Sequence, residues 1–253
     1  MLATRIIPSL LCRGRQLVKG IAFDSWRSVG VAAQAVQVHQ ARGVDELLLL
    51  DIAATAEHRG PDLALIEELS ECCFMPLSVG GGIRNLEDVR ELLRAGADKV
   101  VIGTMALQTD LVRKASAIVG SQAIIVSIDV KQNRVCGRRG TVPYDTSPNQ
   151  PLRPEAWARE VEAAGAGEIL LQSIDRDGTM QGYHLECIRA VSNAVDIPVI
   201  ASGGAGTYQH LLEAALAGAS AVAAGAMFQF TEQTPAGAAR YLAANGVEVR
   251  LHA

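Results

Sequence analysis

Residues 76–82 read PLSVGGG and residues 198–204 read PVIASGG, and this pair of stretches decides the fold. Each is a short apolar run opened by proline and closed by glycines, the pattern of a buried strand that turns sharply into the next element. They lie about 122 positions apart, and the same offset carries Glu46 onto Glu168, Ala95-Gly96-Ala97 onto Ala217-Gly218-Ala219, Gly103 onto Gly225 and Met105 onto Met227. A match held over half the chain is the mark of a duplicated half-domain.

Working outward, six more apolar runs of the same kind alternate with segments of helical periodicity. The eight expected strands are Arg5 to Leu11, Glu46 to Asp51, Pro76 to Val79, Lys99 to Gly103, Ala123 to Asp129, Glu168 to Ser173, Pro198 to Ser202 and Ala221 to Gly225. Helical patterns fall between them, as in Leu86 to Ala95, Pro154 to Ala164, Leu185 to Val195 and Tyr208 to Ala217, several ended by a glycine. Eight strand-helix units predict an α/β chain folded as a single (β/α)8 barrel, one domain over residues 1–253. The stretch from Lys131 to Arg153 breaks the rhythm and predicts a loop or small hairpin after the fifth strand, on the face where such barrels keep their sites.

Composition agrees with this. Nearly half the residues are apolar but only 4% are aromatic, so the core must be built from Ala, Val, Leu and Ile. A net charge of -4 and the lack of any Lys/Arg run give no footprint for nucleic acid or an anionic membrane. Five cysteines, odd in number and without zinc spacing, read as cytosolic thiols. No signal peptide and no long apolar span is visible, so a soluble cytoplasmic protein is expected. No metal and no cofactor is called for, since no G-x-G-x-x-G opens a helix.

In a barrel of this kind the last residues of strands and the loops after them carry the chemistry. Gly80-Gly81-Gly82 ends strand three, Gly103-Thr104 strand four, Gly203-Gly204 strand seven and Gly225-Ala226 strand eight. Bare backbone N–H groups at helix starts suit anions, and repeat-related pairs predict two phosphate sites facing each other across the mouth. Any one pair could equally be an ordinary strand-to-helix turn. Carboxylates at strand ends are Asp51, Asp129, and Asp175 with Asp177. Asp129 is the best acid-base candidate, because no basic residue adjoins it in its strand and burial would raise its pKa. At the opposite end, Arg5, Glu46, Lys99 and Glu168 open four strands. Solvated surface charges are one reading; an inward ring that gates the barrel floor is the sharper one.

The motifs MLATRIIPSL, DELLLLDI, SVGGGIR, AGADKV, GAGEILL, SIDRDGT-x-x-GY and IPVIASGGAG, in this order over residues 1 to 250, resemble those of the cyclase subunit of imidazole glycerol phosphate synthase. The resemblance implies a glutaminase partner on the N-terminal barrel face, near Asp98, and ammonia passing the gate of Arg5, Glu46, Lys99 and Glu168. It implies a bisphosphorylated substrate held by Gly82, Gly103 and Thr104 on one side and by Gly178, Gly204, Gly225 and Ala226 on the other. Lys19 would sit in a mobile loop after strand one, and Asp129 and Asp177 would join it in catalysis.

The chain departs from the family at one decisive place. The family ends strands one and five with a pair of aspartates, but IIPSLL set against IIVSID places Leu11 where the first should be. Gly103 and Gln172 also replace polar residues that the family usually has. Three expectations therefore stand: a divergent paralogue that hands ammonia to another acceptor, such as a third, sugar-modifying amidotransferase; a histidine-pathway cyclase that tolerates Leu11; or a non-catalytic phosphate-binding scaffold for a glutaminase.

Overall fold

A computed structural model describes residues 3–137, 142–143, 145–147 and 150–251. Eight strands close into a parallel barrel: Arg5–Arg13, Leu47–Asp51, Leu77–Gly80, Lys99–Ile102, Ile124–Lys131, Glu168–Ser173, Val199–Ser202 and Ala221–Ala224, called strands one to eight below. Strand one pairs with strand eight through Arg5↔Ala221 and with strand two through Leu11↔Leu50, while strands five and six join through Asp129↔Gln172. The predicted strands and helices thus appear in their predicted places, with ends shifted by up to three residues, as where the helix expected over Leu185 to Val195 stops at Ser192.

Both faces of the barrel wall are buried, which is why its strands read as continuous apolar runs. Residues such as Ile7, Leu48, Val101, Ile125 and Leu170 fill the interior. Their neighbours Ile6, Leu47, Leu77, Val100 and Ile169 pack outward against the helices. Helix Leu86–Arg94 shows how a helix is fixed there. Asn85 caps it by accepting from the Glu87 and Asp88 N–H groups in a capping box, and Arg94 sits in its last turn. Its apolar stripe buries Val89 and Leu92 completely. Truncating Leu92 to Ala would cost about 2–5 kcal/mol.

The half-barrel duplication is visible in three dimensions. A Cβ on Gly81 would meet the Asp51 carbonyl at 2.3 Å, and one on Gly203 the Ser173 carbonyl at 2.5 Å. In the same way Gly82 abuts Gly60, and Gly204 abuts Gly182. Each pair repeats the other at the sequence offset. Gly81, Gly82, Gly203 and Gly204 all hold positive φ, so glycine is required there on two counts.

Two insertions decorate the mouth. Residues 16–31, expected only as a mobile loop carrying Lys19, form an antiparallel ribbon of Gln16–Ile21 with Asp24–Val31, joined to strand one. Its turn runs through Ala22 and Phe23, both at positive φ, and the Ala22 N–H donates to the Asp177 carbonyl at 2.9 Å. No Asn-Gly or Gly signals that turn, which is why the sequence reads as a loop. The predicted loop or hairpin after strand five is a hairpin in its described part: Lys131 turns through Gln132 and Asn133 into Arg134–Gly137. Within that segment, residues 138–141, 144 and 148–149 lie outside the described residues. Among the described residues no helix is long and apolar enough to cross a membrane.

Candidate functional site

The four strand-opening charges point inward and meet. Arg5 donates to Glu46 Oε2 at 2.5 Å and also to Glu168; Lys99 Nζ reaches Glu46 Oε2 at 3.1 Å and Glu168 Oε1 at 2.6 Å. Arg5 and Lys99, which open strands one and four, therefore alternate with Glu46, just ahead of strand two, and Glu168, which opens strand six, in a closed ring. Burial disfavours the Arg5 charge, but the bonds to Glu168 and Glu46 outweigh it and raise its pKa. Ser78 Oγ donates to Glu46 Oε1 at 2.6 Å. Sequence reasoning passed over Ser78; its signal is a lone hydroxyl inside the apolar run of strand three. Asp98, beside Lys99, is exposed at the same end and accepts from the Leu77 N–H.

At the other end of the barrel lies the mouth. Asp129 stands half-buried at the end of strand five, and burial pushes its carboxyl up to about 6; the Ser127 hydroxyl, donating at 3.1 Å, works against the shift, and the Asp177 charge adds to it. A carboxyl in that range can take up and return a proton near neutral pH. Leu11 lines the same cavity as Asp129, buried at the end of strand one. Asp177 and Lys19 form a buried ion pair of 2.9 Å. The other two strand-end carboxylates already have partners. Asp51 accepts from the Ala53 and Ala54 N–H groups and pairs with Arg59 at 2.7 Å, and Asp175 accepts from the Gln132 N–H.

The predicted anion-binding glycines line two cavities. Gly82, Gly103 and Thr104 border one of about 300 Å³. Gly178, Gly204, Gly225 and Ala226 border one of about 10 Å³ on the far side. Close backbone approaches already account for several of them: a Cβ on Gly178 would strike the Gly20 carbonyl at 2.1 Å, and one on Gly225 the Ser9 carbonyl at 2.9 Å. Gly103 differs, since a Cβ there would meet nothing within 4 Å. Phe23 and Trp26 of the ribbon and Arg84 also line the larger cavity. The two aromatics escaped the sequence reading because the ribbon did. Among the described residues no group of three His, Cys, Asp or Glu side chains could hold a metal ion.

Comparison with known proteins fits this geometry. A family model described as histidine biosynthesis protein matches residues 5–234. Imidazole glycerol phosphate synthase subunit HisF from two strains of Caulobacter vibrioides is 44% identical over 255 aligned positions, which cover 100% of this chain and 98% of the relative.

Proposed function

The chain belongs to the histidine biosynthesis protein family, in its HisF branch, and from that premise we propose that it is the barrel subunit of a glutamine-dependent pair. A glutaminase docks on the N-terminal face around Asp98. Ammonia enters through the ring of Arg5, Glu46, Lys99 and Glu168 and is used or handed on at a phosphate-binding mouth on the opposite face. Five cysteines without disulfides suit a cytoplasmic home for this pair.

The observation that carries this reading is the ring. Replacing buried ion pairs by apolar side chains is often neutral or stabilising, so stability alone does not call for four charges across a barrel floor. Above the ring the interior is apolar, with Ile7, Leu48 and Leu170 among its lining. Neutral ammonia crosses such a medium at little cost, while ammonium pays heavily for desolvation. The ring therefore admits nitrogen from the partner, and the apolar layer favours its neutral form.

Leu11 separates the chain from a histidine-pathway cyclase. With leucine at the end of strand one, only Asp129 of the two expected aspartates remains to move a proton. The acceptor of the ammonia is then a different compound, held here or by a third, amidotransferase-type protein. A second reading, the cyclase subunit itself, draws on the 44% identity along the full chain. Turnover of the bisphosphorylated cyclase substrate with a glutaminase partner, using glutamine or ammonium salts as nitrogen source, tests both. Poor turnover with either source, beside glutaminase activity stimulated by docking, is expected; brisk turnover returns the chain to histidine biosynthesis. The scaffold reading gains if ammonia delivery survives Asp129→Asn.

A further inference from the structure

Two of the five free cysteines are neighbours in the chain. Cys12, Cys136 and Cys187 are buried, and burial pushes the thiols of Cys12 and Cys187 up to about 12. Thiols of that kind are inert. Cys72 and Cys73 are only half-buried. They lie between the helix Leu63–Ser70 and strand three, at the end of the barrel where the ring and Asp98 sit. Phe74, next in the chain, is 81% exposed, so solvent reaches this loop.

The loop is fastened at three points. The Cys72 N–H donates to the Leu69 carbonyl at 3.1 Å, the Phe74 N–H to Gln40 Oε1 at 2.9 Å, and the Leu77 N–H to Asp98 Oδ2 at 2.8 Å. The peptide between the two cysteines is trans, which sets their Cα atoms about 3.8 Å apart. Both side chains pack against the same outer core layer. Cys72 Sγ donates to the Leu69 carbonyl and Cys73 Sγ to the Met75 carbonyl, each at 3.4 Å. Chiefly through burial, the Cys73 thiol is pushed up to about 11. At neutral pH only about one chain in ten thousand then carries a thiolate there, so electrophiles that need a thiolate find little to attack. A centre that binds both sulfurs and carries both protons away is favoured instead.

We propose that Cys72 and Cys73 form a dithiol site for a trivalent arsenical that carries one organic group. Two S–H bonds and the arsenic–oxygen link break, two As–S bonds form, and the oxygen leaves as water with both protons. Arsenic stays trivalent, so neither an oxidant nor a reductant is needed. Sulfur is a soft ligand, and the second thiol closes the chelate at the high effective concentration of a neighbour. Among the described residues no group of three His, Cys, Asp or Glu side chains could hold a metal ion, so the pair has no third ligand beside it. An organoarsenical brings its own third bond, whereas arsenite calls for a third thiol. The site is apart from the mouth, and its chemistry does not depend on ammonia delivery.

Phenylarsine oxide added in equal amount to the folded full chain, followed by intact-mass measurement and alkylation mapping, tests the site. One phenylarsenic unit per chain is expected. Cys72 and Cys73 should be protected when the treated chain is unfolded and alkylated, and Cys12, Cys136 and Cys187 should not. The adduct should survive excess mercaptoethanol and be lost to dimercaptopropanol, because only a dithiol competes with a chelate. Cys72→Ser and Cys73→Ser should each weaken binding about a hundredfold. The mapping on the wild type decides the matter even if a serine variant fails to fold. No adduct, an adduct on any of the other three cysteines, removal by mercaptoethanol, full affinity in either serine variant, or arsenite bound as tightly as phenylarsine oxide would each overturn the proposal.

Discussion

The Lys19 ammonium lies 2.9 Å from Asp177 Oδ1, and both side chains are almost wholly buried. This pair fastens the ribbon of residues 16–31 to the loop after strand six, beside the bond from the Ala22 N–H to the Asp177 carbonyl. Removing one partner strands a buried charge, so Lys19→Ala should cost about 3–5 kcal/mol, read from urea unfolding. The double variant Lys19→Met, Asp177→Leu should recover most of that loss. If the single variant were harmless, the ribbon would have to be held by other contacts.

The floor ring makes a kinetic prediction. In Lys99→Ala, Arg5 alone must balance Glu46 and Glu168. Glutamine-dependent amination should then fall about tenfold or more, equivalent to ~1.4 kcal/mol of lost coupling. Activity with ammonium salts, which reach the mouth from solvent, should change little. An equal fall with both nitrogen sources would count against a gate. Glu46 keeps its bond from Ser78 in this variant, so the chain should still fold.

These two sites differ in how legible they were in the sequence. The ring could be read because charges opening four buried strands have few places to point, and the repeat set Glu46 against Glu168. The barrel was legible for the same reason: period, spacing and glycine pairs agree along the whole chain. The ribbon was not, because Ala22 and Phe23 adopt positive φ with no turn residue to announce it. With the ribbon went Phe23 and Trp26, and with them the shape of the mouth. Nor could the sequence tell that Asp51 and Asp175 are held by loop groups while Asp129 has no ion-pair partner among the described residues, since that depends on where Arg59 and Gln132 come to rest.

Asp129 predicts an unusual pH dependence of stability. Its carboxyl rises from an ordinary value near 3.8 to about 6 on folding, chiefly through burial. Below about pH 3 it is protonated in both folded and unfolded chains and makes no difference between them. Between about pH 3 and pH 6 the unfolded chain ionises first, so stability falls as pH rises. Above about pH 6 the full penalty remains, about 1–3 kcal/mol once the group's partial exposure is allowed for. Asp129→Asn should therefore match the wild type near pH 3 and exceed it above pH 6. Urea midpoints measured across that window test it; a variant no more stable at pH 7 would mean that the carboxyl is not held up.

Leu11 bears on the choice between the two functional readings. Its side chain is 3% exposed, pairs across the sheet with Leu50 and Val18, and lines the same cavity as Asp129. A positioned acid or base contributes about 10² to 10⁴ in rate, so the wild type should convert the bisphosphorylated cyclase substrate very slowly even at saturating ammonium, where the floor ring is bypassed. Leu11→Asp should restore part of that rate, and adding Asp129→Asn should abolish it. The new carboxylate enters an apolar wall near Asp129, so the variant should also lose about 1–3 kcal/mol of stability, and a rate gain in spite of that loss is hard to ascribe to better folding. Restoration stays incomplete if Gly103 still misplaces the substrate. A wild type as fast as ordinary cyclases, and indifferent to Leu11→Asp, would instead assign the proton transfer to another group. The chain would then be the histidine-pathway enzyme after all.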